Sequence, residues 1–235
     1  MAETAWLPNP PDGTSVCGGF DGSLNNDWTC IKLETREGLI FTPRYGPDQI
    51  PAIWNPAKWE GKIPRDQVDV AWAEIAERYR LLRVYCDPGF HDETDWSTEI
   101  ETWDEEHGPD VFVPWPTNQL TRMYPALRRF EADLEHGGIT HDGCPITTTH
   151  LGNAVKLAAR ADMYTLGKPT QVQKIDAGVT SVICHEAAAD MRAEGWPDDV
   201  VDNTVLVHRR STPRPRSASK ELLEQLIPDR RRRAR

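Results

Sequence analysis

One short stretch, residues 16–31, constrains the fold of this chain more than any other part of the sequence. Residues 16–20 (Val-Cys-Gly-Gly-Phe) favour a buried strand, and a second β-prone run begins at Trp28. The polar and glycine residues between the two runs predict a hairpin turn. Asp21 ends the first strand, where a carboxylate either caps the turn or pairs with a charged partner such as a metal ion, because an unpaired charge beside a core is costly.

Beyond this hairpin, the sequence predicts further strands alternating with helices. The first three strands are joined by short turns and predict an antiparallel meander, and the later alternation predicts a mixed sheet with helices on both faces. The predicted fold class is therefore α/β, with a sheet of five or more strands. The predicted strands are residues 16–20, 28–34, 39–45, 82–86 and 110–115, and the predicted helices begin near residues 66, 96, 118, 146 (running to 160) and 174, with a hairpin arm at 164–169.

Changes in composition predict three parts in the chain. Residues 1–14 are rich in proline and predict an irregular lead-in or linker, residues 15–207 predict one domain, and residues 208–235 predict a basic, flexible tail. No apolar run reaches about 18 residues and no secretory signal is visible, so no membrane association is predicted. The five cysteines have no paired spacing, which favours free thiols in a reducing cytoplasm.

The basic tail contrasts with an acidic body. Residues 208–235 contain ten Lys or Arg against three Asp or Glu, a balance of +7 that leaves −17 for residues 1–207. Arginine-rich ends bind nucleic acid by neutralising phosphates, whereas a solvated tail that only aids solubility is the alternative. The candidate DNA-binding residues of the tail are Arg230, Arg231, Arg232 and Arg233.

Three acids stand out by their positions. Asp21 and Asp87 each follow a predicted core strand, and Asp176 lies in the first turn of the last core helix, where interaction with the helix dipole is the alternative explanation. The two strands can lie side by side in a mixed sheet, and the helix can add the third acid. Converging carboxylates repel one another unless cations neutralise them, and oxygen ligands select Mg²⁺ or Mn²⁺. Two such ions can activate water and stabilise the leaving oxygen in phosphodiester hydrolysis.

Several motifs occur in the order found in a known family. They are Gly-Phe-Asp-Gly-Ser at 19–23 with Asp-Trp-Thr at 27–29, Tyr-Cys-Asp-Pro at 85–88, His-Asp-Gly at 141–143 with His-Leu-Gly-Asn-Ala at 150–154, and Lys-Ile-Asp-Ala at 174–177. In this order they resemble the C-terminal nuclease domain of phage terminase large subunits, which has a ribonuclease H-like fold. The resemblance covers residues 16–195.

The resemblance implies a metal-dependent endonuclease that cuts the double-stranded DNA of a phage concatemer during genome packaging. It implies that Asp21, Asp87 and Asp176 bind two Mg²⁺ or Mn²⁺ ions, one generating hydroxide and the other stabilising the 3′ leaving oxygen. The implied partners are double-stranded DNA, the terminase ATPase motor, the small terminase subunit and the portal, and the implied location is the cytoplasm of the infected bacterium. The chain departs from the family in having no Gly-x-x-x-x-Gly-Lys-Ser/Thr loop, so we expect no ATP hydrolysis or DNA translocation by this chain itself.

Four further residues are candidates to support the acids. Asp27 is either an additional metal ligand or a solvated turn residue, the latter being favoured. Lys174 either orients a phosphate or water or is an exposed lysine. His150 and Asn153 lie three residues apart on one helical face, where they either support the acids or the DNA backbone or form a satisfied polar pair in the core.

Two other functions compete with the terminase interpretation. The first is a different ribonuclease H-like nuclease, such as a junction resolvase or a transposase-like enzyme, which would prefer branched over linear DNA. The second is a non-catalytic module that docks on the portal, the motor or DNA and keeps only a vestigial acid cluster. Metal-dependent thermal stabilisation without cleavage would favour this docking module.

Overall fold

The fold is built around a mixed sheet, seen in a computed structural model that describes residues 5–23, 27–89 and 95–197. Its strands are β1 (Ser15–Asp21), β2 (Thr29–Thr35), β3 (Leu39–Phe41), β4 (Arg44–Tyr45), β5 (Ile50–Pro51), β6 (Ile53–Trp54), β7 (Arg80–Asp87), β8 (Phe112–Pro114), β9 (Thr140–His141), β10 (Val155–Ala158) and β11 (Tyr164–Gly167). The helices are α1 (Arg65–Arg78), α2 (Ser97–His107), α3 (Leu120–His136), α4 (Pro145–Asn153) and α5 (Asp176–Glu194), with a 3₁₀ turn at Pro56–Lys58.

Seven of the described strands form the main sheet, in the order β8-β7-β1-β2-β3-β9, with β6 paired to β2. Strands β1, β2 and β3 form the predicted antiparallel meander, whereas β7 and β8 run parallel to β1. Strand β9 adds to the far edge parallel to β3, and β4–β5 and β10–β11 pair apart from the main sheet. The predicted mixed sheet with a meander is therefore confirmed.

Alternation along β1 sends its side chains to two separate cores, as expected for a strand in the middle of a sheet. Phe20 packs on the face covered by α1 and α2, where its ring lies edge-on to Trp103 with centroids 5.2 Å apart. Cys17 points to the opposite face and packs with residues of α3 and α5 such as Val182. Asp21 is an even number of residues from Cys17, so it faces the side of the sheet on which α5 lies.

Helix α5 lies directly on the backbone of β1 because β1 carries glycine at the point of contact. A Cβ atom at Gly19 would lie 2.6 Å from the carbonyl oxygen of Thr180 and 2.7 Å from the amide nitrogen of Cys184. Real Cβ atoms do not approach backbone atoms so closely, so only glycine permits this packing. The close contact brings the beginning of α5 to the end of β1.

One predicted helix is wrong over its second half. Residues 146–160 were expected to form one helix, but α4 ends at Asn153 and residues Val155–Ala158 form β10, which pairs antiparallel with β11. The apolar residues Val155 and Leu157 fit a strand once a partner is present. The hairpin arm predicted at 164–169 is therefore longer than expected, because it begins with β10 and ends with β11.

The third predicted strand, residues 39–45, is divided in the structure. Proline cannot donate a ladder hydrogen bond, and Pro43 separates β3, which pairs with β2, from β4, which pairs with β5. The segment 46–64 contains the short strands β5 and β6 and the 3₁₀ turn. Of these short strands, β6 joins the main sheet by pairing with β2, whereas β5 pairs with β4 apart from it.

Three further observations bear on the sequence expectations. All five cysteines are buried and free, as predicted. Among the helices of the described ranges, none is long and apolar enough to cross a membrane. The predicted tail, residues 208–235 with Arg230 to Arg233, lies outside the described residues.

Candidate metal centre

Asp21 and Asp87 lie side by side because they end two neighbouring parallel strands. The register of β1 and β7 pairs Asp21 directly with Asp87. Both side chains face the α5 side of the sheet, since Cys17 on β1 and Tyr85 on β7, each two or four residues earlier, pack in the core beneath α5. The predicted meeting of these two strand ends is what the structure shows.

Asp176 joins them from the first residue of α5. It is 7% exposed, and Asp87 is 5% exposed, so both carboxylates are almost entirely removed from bulk water. Asp21 retains intermediate exposure. The packing of α5 against Gly19, two residues before Asp21, brings the beginning of this helix near the two strand ends.

The environment disfavours the negative charge of all three acids. Burial, followed by the charges of Asp87, Asp176 and Asp27, raises the pKa of Asp21 well above its usual value. Burial also raises the pKa of Asp87, although hydrogen bonds from Thr117 and Gly89 partly offset the effect. For Asp176 the causes are burial and then the charge of Asp27. Such mutual destabilisation is relieved by cations, which is the electrostatic condition of a metal site.

Asp176 shows whether the site suits a metal ion. Its Oδ2 atom is buried and has no hydrogen-bond partner, and an orphaned anionic oxygen is costly unless a cation or proton meets it. Asp21 and Asp87 supply further carboxylate oxygens, the donors that Mg²⁺ and Mn²⁺ prefer. As the side chains are placed, no three His, Cys, Asp or Glu residues in the described part of the chain form a closed site for a single ion. The residues therefore fit divalent metal by chemistry and burial, not by a preassembled ligand cage.

The carboxylate of Asp87 is held in one orientation by two neighbours. The hydroxyl of Thr117 donates a hydrogen bond to its Oδ2, and the backbone amide of Gly89 donates to its Oδ1 at 3.2 Å. Sequence reasoning missed Thr117. The available signal was its position shortly after the strand that becomes β8, which lies parallel to β7, so the two strand ends share one edge of the sheet.

His150 and Asn153 of α4 hold the segment that carries Asp176. The Nδ1 atom of His150 accepts a hydrogen bond from the amide of Ala177 at 3.1 Å, and Asn153 Nδ2 donates to the carbonyl of Lys174 at 2.9 Å. The capping residue of α5, an isoleucine, offers no side-chain cap, so the imidazole satisfies an amide that would otherwise be orphaned. Burial and the charges of Lys32 and Lys174 lower the pKa of His150 to about 4, which keeps it neutral and able to accept this bond.

Asp27 and Lys174 are bonded to each other rather than freely solvated. Asp27 Oδ1 accepts from Lys174 Nζ at 2.8 Å and from Lys168 Nζ at 2.7 Å. Although burial acts in the opposite direction, these hydrogen bonds lower the pKa of Asp27. The interpretation of Lys174 as an exposed lysine is therefore wrong, since its side chain is 15% exposed, whereas Asp27 is part solvated and also ion-paired. Lys168 was not predicted, because no local signal marks a lysine after a hairpin as the partner of a residue 141 positions away.

A mixed sheet with a three-strand meander, covered by helices and bearing acids where β1 and β7 end, is the ribonuclease H-like fold. More particularly, it is the fold of the large terminase nucleases, which confirms the predicted resemblance at the level of structure. The large terminase nuclease of thermophilic phage G20c with bound magnesium superposes with a TM-score of 0.56 at 15% identity, covering 78% of this chain and 93% of that one. The same nuclease was also solved with bound cobalt, with a TM-score of 0.54.

The HK97 bacteriophage large terminase superposes with a TM-score of 0.56 at 17% identity, covering 80% of this chain and 41% of that one. Among curated proteins, the chain is similar to the Gene 13 proteins of Mycobacterium phages D29 and L5, with 28% and 27% identity over 190 residues. Each match covers 76% of this chain, and the chain spans 30% of the length of these relatives. No protein-family model matches the chain.

Proposed function

We propose that this chain is a metal-dependent endonuclease that cuts double-stranded phage DNA during genome packaging. The single observation that carries the proposal is the pairing of Asp21 with Asp87 at neighbouring strand ends, within electrostatic range of Asp176, which has a buried oxygen without a partner. The fold supports it, since solved nucleases of this fold hold magnesium or cobalt.

In this proposal the three carboxylates hold two divalent ions, Mg²⁺ or Mn²⁺. When bound, the ions supply Lewis acidity at the phosphodiester and lower the pKa of a coordinated water. Thr117 and Gly89 orient Asp87, and His150 and Asn153 fix the segment before Asp176. These contacts keep the oxygen donors in place without a large reorganisation when DNA binds.

The same proposal covers the partners. The chain would act on double-stranded DNA with an ATPase motor, a small terminase subunit and a portal, in the cytoplasm of the infected bacterium. The chain spans 30% of the length of its curated phage relatives.

The experiment is digestion of supercoiled plasmid with Mn²⁺, Mg²⁺ or EDTA, comparing the wild type with Asp176→Asn. Asn keeps the size of the side chain but removes the charge and one potential anionic ligand. We expect metal-dependent nicking and linearisation in the wild type and a loss of about 10³-fold or more in the variant, the scale seen when a group that stabilises a transition state is removed. A branched substrate run in parallel distinguishes a resolvase.

The matched control is Asp48→Asn, the same substitution at an exposed aspartate in the turn between β4 and β5. It should cleave as the wild type does. Full cleavage by Asp176→Asn would remove Asp176 from the site. Absence of cleavage by the wild type with either metal, together with metal-dependent thermal stabilisation, would favour the non-catalytic docking module.

A further inference from the structure

Two lysines share one carboxylate oxygen beside the candidate metal centre. Lys168, which follows β11, and Lys174, two residues before Asp176, both donate to Oδ1 of Asp27, at 2.7 and 2.8 Å. The lysine side chains are 19% and 15% exposed, whereas that of Asp27 is 42% exposed. The two lysine side chains are thus mostly buried, whereas Asp27, the acceptor that they share, is open to solvent.

The geometry of this pair suits a phosphate oxygen. Since both nitrogen atoms lie within hydrogen-bond distance of one oxygen, they are less than about 6 Å apart. Lysines bind phosphate as point charges, and a non-bridging phosphodiester oxygen is an anionic acceptor like the carboxylate oxygen of Asp27. Asp27 therefore occupies the place where the two lysines would hold a backbone phosphate.

The pair also lies within electrostatic range of Asp176. The charge of Asp27 contributes to the raised pKa of both Asp21 and Asp176, and the charges of Lys168 and Lys174 act in the opposite direction on Asp176. DNA that approaches this cluster of carboxylates is repelled by them. Two ammonium groups at its border provide the compensating attraction for a phosphate.

We propose that Lys168 and Lys174 form a phosphate subsite that binds the DNA backbone beside the metal centre, and that Asp27 fills this subsite until DNA displaces it. That the ligand of this subsite is a phosphodiester of DNA rests on the proposed function. Asp27 is then an internal competitor: it lowers the apparent affinity for DNA by the fraction of molecules in which it occupies the lysines.

The test measures DNA binding without cleavage, by fluorescence anisotropy of a short labelled duplex in Ca²⁺ over a series of salt concentrations. Lys168→Gln and Lys174→Gln should each weaken binding by about tenfold, the value of one charge-assisted hydrogen bond. Each should also reduce the salt slope by about 1. Asp27→Asn should change binding in the opposite direction and tighten it by about threefold or more, because the internal competitor is gone.

The matched control is Lys156→Gln. Lys156 lies on β10 of the same hairpin and is also ion-paired, at 2.8 Å to Glu131, but it does not contact Asp27. It should leave DNA binding unchanged. Thermal unfolding of each variant identifies any that is misfolded, and Lys168→Arg and Lys174→Arg, which keep the charge, should then retain affinity.

The sign of the Asp27→Asn effect decides the proposal. If this variant binds DNA no better than the wild type, Asp27 is no competitor and the proposal is overturned. If the lysine variants also bind as well as the wild type, the three residues only tie the hairpin to the domain. This readout is separate from cleavage. A chain that cuts no DNA but shows the opposite-sign effects has the subsite without the proposed activity, whereas metal-dependent cleavage with unchanged binding in all variants rejects the subsite alone.

Discussion

At the scale of single residues, His185 is a buried titratable side chain that contacts two carboxylates. It is buried on α5, with Nδ1 3.0 Å from Glu34 Oε2 and Nε2 2.9 Å from Asp133 Oδ2, and Arg192 contacts Glu34 as well. Burial alone would lower the pKa of His185, but the hydrogen bonds and charges of Glu34 and Asp133 outweigh it and raise the pKa. The folded environment, with a carboxylate on each side, therefore favours the charged imidazole.

This network predicts a pH dependence of stability. A histidine whose pKa is raised by folding adds stability that is complete below its unfolded pKa of about 6.5 and is lost as pH rises through the folded value. We expect His185→Gln to cost about 3 kcal/mol of unfolding free energy near pH 6, because Glu34 loses a buried charged partner. The cost should shrink as pH rises above about 6.5. Urea unfolding of both proteins across this pH range measures the difference.

The comparison with His185→Gln is needed because other groups titrate in the same protein. Asp21, Asp87 and Asp176 also have raised pKa values, so the wild type loses stability as these acids ionise. Their contribution is common to both proteins and cancels in the difference. A difference that stayed constant from pH 6 to alkaline pH would show that His185 is not charged in the folded state.

At the scale of elements, the contact between α5 and β1 joins the core to the candidate site. The helix brings Asp176 to the strand ends, and α4 holds its first turn through His150 and Asn153. Glycine at position 19 lets the helix approach the strand backbone. Stability and placement of the acids therefore depend on the same packing.

We predict that Gly19→Ala lowers the unfolding free energy by about 3 kcal/mol or more, which is at or above the usual cost of inserting a methyl group into a packed core. The cost is high because the new Cβ would meet backbone atoms, which cannot rotate away as a side chain can. Cleavage of plasmid DNA should fall with it, since α5 and Asp176 must move. The matched control is Gly152→Ala on α4, where a Cβ would meet nothing within 4 Å. Denaturant unfolding of both variants tests this: the control should be neutral or slightly stabilised, and equal effects of the two changes would contradict the packing argument.

At the scale of the whole molecule, charge is divided between an acidic body and a basic end. The acidic candidate site lies in a body with a net charge of −17 over residues 1–207, whereas residues 208–235 carry +7. A body of this charge repels DNA at long range. Under the proposed function, attraction of this chain to DNA must therefore come from local cations or from the tail.

We predict that removing residues 230–235 weakens duplex DNA binding and flattens its salt dependence. The segment contains five arginines, so the slope should fall by up to about 4–5 if all of them contact phosphates. Binding titrations at several salt concentrations provide the measurement. A full-length variant with these arginines changed to glutamine should behave like the truncation, whereas wild-type binding by either variant would show that the tail does not bind DNA.

Much of this molecule follows from local sequence signals. Gly18-Gly19-Phe20-Asp21, the second strand-and-aspartate pattern at Asp87 and the helix beginning at Asp176 were enough to predict a mixed sheet and the meeting of three acids. These signals succeed because strand alternation and strand ends follow directly from chain order. The prediction of helix through residue 160 was wrong because β10 depends on pairing with β11, which periodicity within one segment does not reveal.

The sequence by itself determined the sheet, its meander and which carboxylates lie at its edge. Only the tertiary structure decided what surrounds them: that His150 caps α5 through Ala177, that Thr117 orients Asp87, and that Lys168 and Lys174 converge on Asp27. These contacts join residues 27 to 147 positions apart, and they form only after the core has brought distant loops together. Local propensity specifies elements, whereas such long-range contacts depend on how the elements pack.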